Sequence, residues 1–65
     1  MLKMRYDQRM ILLDLAAGKT TKEICGETGR EISSVNRTVS FVRQNNGLRT
    51  REQLMAQFGR ECANV

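Results

Sequence analysis

Apolar residues along this 65-residue chain recur at steps of three and four, the spacing of one face of an α-helix. The first such segment runs from about Met4 to Ala17 and ends at Gly18, a residue suited to the left-handed conformation at a helix terminus. Drawn at 100° per residue it carries two apolar stripes. Met4, Ile11, Leu12 and Leu15 form one; Tyr6, Met10, Leu13 and Ala17 lie roughly opposite. Lys3, Asp7 and Asp14 separate the stripes along one flank, and Arg5 and Arg9 along the other. A helix in so small a domain cannot easily bury both sides within its own fold. The stripe of Tyr6, Met10 and Leu13 is therefore expected to be a protein interface.

Three more helices follow. Thr20 and Glu23 form a capping box that opens a short helix carrying Ile24 and Cys25, which ends near Thr28 or Gly29. The next segment, from Ile32 or Ser33 to about Asn45, sets Val35, Val39 and Val42 on a single stripe and stops at Asn45-Asn46-Gly47. Its β-branched residues do not favour helix by themselves, so it must depend on tertiary packing. The last helix begins at Thr50, with Gln53 closing a second capping box, and presents Leu54, Phe58 and Cys62. The pattern predicts one all-α domain over residues 1–65, with four helices and no linker or repeat. A domain this size has a marginal core, and the chain has no Pro to interrupt its helices.

Composition narrows the chemistry. With no His, the commonest general base and metal ligand is missing. Cys25 and Cys62 stand alone, without a CxxC pair or further ligands, and read as reduced, buried thiols, Cys62 the more accessible. The longest apolar run, Met10 to Leu13, is too short to span a bilayer, and Asp14 interrupts any signal-peptide core. The sequence points away from an enzyme, a cofactor, a metal and a membrane, and toward a reducing cytoplasm. Eleven Lys plus Arg against seven Asp plus Glu leave a net charge of +4, and eight of those cations are Arg. Arg is the side chain suited to forked contacts with phosphates and guanine edges.

Two short helices joined by a Gly-containing turn describe a helix-turn-helix. On the third helix, Ser33, Arg37, Ser40 and Gln44 lie opposite the valine stripe, with Asn36 and Phe41 at the flanks. No acid occurs from Ser33 through Gln44, while Arg37 and Arg43 occur within it. Hydroxyls, amides and an Arg fork are the side-chain types that reach base edges. Double-stranded DNA is the expected partner, and Lys19, Lys22, Arg37, Arg43 and Arg49 are the expected phosphate contacts.

The run Leu15-Ala16-Ala17-Gly18-Lys19-Thr20-Thr21-Lys22-Glu23-Ile24-Cys25 resembles the "LAAGKSNKEIA" stretch of the LuxR/GerE family of bacterial helix-turn-helix regulators. Ser33-Ser34-Val35-Asn36 is similar to that family's "STVK", and Gly47-Leu48-Arg49-Thr50-Arg51 to its "GVxNR". The resemblance covers about Met4 to Cys62 in one register. It implies a tetrahelical domain whose second helix braces against the DNA backbone while the third enters the major groove. Thr20, Thr21 and Lys22 then lie near a phosphate, with capping the better role for Thr20, and Ser33, Ser34, Asn36, Arg37, Ser40 and Arg43 complete the DNA-binding surface. The stripe of Met4, Ile11, Leu12 and Leu15 is assigned to the core. The fourth helix, around Leu54, Met55 and Phe58, becomes a competing interface, because that helix often mediates dimerisation in the family. The chain departs from the pattern at Arg30 and Asn46, where the family is apolar, and at Asn36 and Asn45, where it has Lys.

The resemblance implies a small stand-alone, sequence-specific transcriptional regulator, bacterial or phage-encoded and nucleoid-associated. One recognition helix reads only a few base pairs, so a homodimer is expected. A second class is a protein-binding module of the same shape that sequesters or modulates another transcription regulator. A third is an accessory nucleoid protein with little sequence preference. Fold alone does not choose among them.

Overall fold

The computed structural model describes residues 1–63. Among them are four helices and no strand: α1 (Tyr6–Ala16), α2 (Thr21–Thr28), α3 (Ile32–Asn45) and α4 (Arg51–Ala63). Each boundary has a local cause. The Thr20 hydroxyl accepts the Glu23 N–H at 3.1 Å while the Glu23 carboxylate accepts the Thr20 N–H at 3.0 Å, which satisfies two free donors at the start of α2. Thr50 and Gln53 repeat the device at α4, at 3.1 and 3.2 Å. Gly29 and Gly47 end α2 and α3 with φ of 74° and 69°, a backbone conformation that only glycine adopts without strain.

The helix α1 starts two residues later than its periodicity suggests. Residues 1–5 instead form an extended arm laid across the ends of α3 and α4. Leu2 is buried, and its N–H donates to both carboxylate oxygens of Glu61 at 3.0 and 2.9 Å. The Asn46 side chain clasps Lys3, accepting its N–H at 2.8 Å and donating to its carbonyl at 3.0 Å, and donates also to the Val42 carbonyl at 2.8 Å. An apolar residue at position 46 has no means of making these bonds.

The core takes Ile11 and Leu12 from α1, Ile24 from α2, the three valines of α3, and Leu54 and Phe58 from α4. Met4 and Leu15 are half-buried against it, as the first stripe of α1 requires. The helices α1 and α3 each pack against the other three elements, whereas α2 and α4 do not touch among the described residues. This arrangement corrects one expected interface. Leu54 and Phe58 are 0% and 1% exposed and belong to the core, and Met55 is half-buried beside it. The reason is geometric: α4 has one apolar stripe only, and α1 and α3 consume it. Cys25 and Cys62 are free thiols, both half-buried against the core, so Cys62 is not the distinctly accessible one of the two. No helix among the described residues is long and apolar enough to cross a membrane.

Candidate nucleic-acid interface

The valine stripe fixes the rotation of α3 about its axis. With Val35, Val39 and Val42 turned inward, Ser33, Asn36, Arg37, Ser40 and Gln44 are all exposed on the side away from the core. Among the described residues no other helix covers that side. Ser34 is half-buried, and its carbonyl accepts the Thr38 hydroxyl at 3.0 Å. The face holds hydroxyls, amides and one guanidinium over some three turns of rigid helix.

The expected phosphate contacts divide into free and occupied cations. Lys22, Arg37 and Arg49 form no ion pair among the described residues. Lys19 lies 2.7 Å from the Glu27 carboxylate and 3.7 Å from that of Asp14. Its bond to Glu27, with Asp14 adding, holds its pKa above the ordinary lysine value. Lys19 therefore stays charged but is held by the protein's own acids. Arg43 is half-buried, and its Nη1 donates to the carbonyls of Leu48 and Arg49 at 3.0 and 2.9 Å. It fastens the α3–α4 connection and lies at the edge of the outer face.

At the start of α2, the Thr20 hydroxyl is committed to the cap. The Glu23 carboxyl lies below its ordinary value chiefly because it accepts the Thr20 N–H. Thr21 is half-buried and Lys22 exposed, so Lys22 carries the accessible charge of this helix end.

Sequence reasoning left out a feature beside the α3 face. A groove of about 480 Å³ runs between the arm and α3, lined by Met4, Arg5, Gln8, Arg37, Thr38 and Phe41, among others. The Phe41 ring is 54% exposed, one turn beyond Arg37. The signal in the sequence was the i, i+4 spacing of Arg37 and Phe41; that Met4 and Arg5 stand opposite depends on the arm's extended path. Among the described residues no cluster of three His, Cys, Asp or Glu is placed to hold a metal ion. The chain matches no protein-family model, no curated protein and no solved structure.

Proposed function

We propose that this protein is a helix-turn-helix transcriptional regulator that binds double-stranded DNA through the outer face of α3, in the manner that its resemblance to the LuxR/GerE family implies. The observation that carries this reading is the exposed, acid-free face of Ser33, Asn36, Arg37, Ser40 and Gln44 on a helix braced by three others. Arg37 reads a base edge with its fork, and Asn36 and Ser40 supply further donors and acceptors. Phe41 adds an apolar contact of the kind that meets a thymine methyl. Lys22 meets the DNA backbone as a point charge and Arg49 through its fork. Two phosphate-binding cations, Lys22 and Arg49, give a dependence of log K on log salt of about −2 per protomer, where all five expected contacts give a slope between about −4 and −5.

Selection of bound duplexes with the purified protein, followed by salt titration on the best site, tests this. A preferred sequence and a slope near the lower figure support the reading. No measurable affinity for any duplex at low salt overturns it. The exposure of Phe41 and Ile32, 54% and 53%, favours the second reading, a protein-binding module, because a surface built only for phosphates has no use for them. That reading expects partner capture to depend on Phe41 and to be nearly independent of salt.

A further inference from the structure

The burial of Leu54 and Phe58 leaves α1 as the helix with an unpartnered apolar stripe. Tyr6, Met10 and Leu13 are 77%, 41% and 36% exposed, and no large apolar side chain of α4 is exposed among the described residues. The order Tyr6, Met10, Leu13, Ala17 steps by four, three and four, the alternation of d and a positions in a heptad. In that register Arg9 stands at the g position just before Met10. Asp7 and Asp14 stand at the e positions just after Tyr6 and Leu13.

The flanks therefore differ in sign, and the sign selects an orientation. When two copies of α1 pair in parallel about a two-fold axis, the g flank of each faces the e flank of the other. Arg9 then meets Asp14 of the second copy, five residues on, and the symmetry makes this contact twice. In an antiparallel pair each flank meets its own copy, so acid faces acid and Arg faces Arg. The groups already present are compatible with the parallel choice. Asp7 is shared between Arg5 at 3.4 Å and Arg30 at 3.9 Å, while Asp14 has, among the described residues, only Lys19 at 3.7 Å. The Arg9 guanidinium lies 5.6 Å above the centre of the Phe58 ring, which places it on the α4 side of the stripe.

We propose that the outer face of α1 binds a second copy of this chain, in parallel, through Tyr6, Met10 and Leu13, with Arg9 of each protomer paired to Asp14 of the other. The apolar stripe supplies the association and the ion pairs choose its direction. Three turns of helix bury less than a standard interface, so the dimer is weak and concentration-dependent, with Kd roughly in the micromolar range or above.

The test is sedimentation equilibrium without DNA, so its outcome stands apart from the DNA-binding reading. The parent is expected to self-associate, and the double variant Met10→Glu with Leu13→Arg to remain a helical monomer. Arg9→Glu and Asp14→Arg each place like charges across the pair and weaken self-association about tenfold. An equimolar mixture of the two single variants recovers it. In the mixed dimer the carboxylate introduced on one chain faces the guanidinium introduced on the other, and the remaining contact keeps its original Arg9 and Asp14. That recovery fades in high salt. As a readout independent of charge, Leu13→Cys with Cys25→Ala and Cys62→Ala forms a disulfide dimer, since equal d positions adjoin only in the parallel pair. A parent that stays monomeric at millimolar concentration, or a dimer that survives the stripe variant, overturns the interface. Unfolding of the stripe variant overturns it too, by making the stripe part of the core. A dimer with neither recovery in the mixture nor the Leu13→Cys cross-link overturns the parallel register.

Discussion

The outer faces of α1 and α3 use the same helical period and opposite chemistry. Each helix turns one apolar stripe inward, Ile11 and Leu12 on α1 and the valines on α3. Outward, α1 carries a ring, a thioether and an aliphatic chain between an acidic and a basic flank, whereas α3 carries hydroxyls, amides and Arg37 with no acid among them and Phe41 at one flank. Water tolerates the α3 face apart from Phe41 at its flank and Ile32 at its start, so its composition is open to selection for a polar ligand. The α1 face loses free energy wherever its stripe meets water, at about 25 cal/mol per Å² of apolar surface. The comparison teaches that the polar face needs a chemical argument to become a site, while the apolar face needs only an occupant.

Removing the scaffold under both faces has the largest effect. Phe58→Ala is expected to cost about 3–5 kcal/mol, because the ring fills the centre of the core and carries the Arg9 guanidinium. A domain of this size has a total stability of about 3–10 kcal/mol, so thermal unfolding followed by circular dichroism should show a Tm far below the parent's. A parent-like Tm contradicts the core assignment.

The two faces then separate. Arg37→Ala should weaken binding to the best duplex by about 1–3 kcal/mol with an unchanged Tm. On a single half-site, Met10→Glu with Leu13→Arg should leave affinity unaltered. If the α1 variant loses half-site affinity and Arg37→Ala does not, the roles of the faces are reversed.

The arm connects the faces to the rest of the molecule. Asn46→Ala deletes three hydrogen bonds that hold Lys3 and the last turn of α3, and should cost about 1–2 kcal/mol in chemical denaturation. Amide exchange at Leu2 and Lys3 should quicken before the core's. Unchanged protection there would show that the clasp does not hold the arm.

Acid has the smallest effect and the clearest sign. The Leu2 N–H, opposed by partial burial and aided by the Gln57 amide, holds the Glu61 carboxyl below its ordinary 4.5, and the Thr20 N–H does the same for Glu23. The stability these two groups contribute is complete above that value and is lost as the pH falls through their folded values. Glu61→Gln lacks one of the two contributions, so its stability should fall less steeply below pH 4.5 than the parent's. An identical acid slope would exclude the Leu2–Glu61 contact in solution.

Much of this molecule is determined locally. The capping boxes at Thr20 and Thr50, the glycine stops and the three- and four-residue steps place α2, α3 and α4 within a residue or two, since each rests on contacts between residues three or four apart. The polar outer face of α3 follows from the valine stripe by rotation alone. What tertiary structure decided lies at long separation in the chain. Periodicity extended α1 back to Met4, but Leu2 meets Glu61 and Lys3 meets Asn46, and those contacts hold the arm extended. The sequence offered two apolar surfaces as interfaces, on α1 and on α4, with nothing local to separate them. Packing separated them: the core has room for one stripe from each helix, α4 has only one to give, and α1 has one left over. The same holds for the cations. Charge is counted in the sequence, but that Lys19 is spent on Glu27 and Arg43 on the α3–α4 connection, leaving Lys22, Arg37 and Arg49 unpaired among the described residues, depends on which side chains the fold brings within reach of each other.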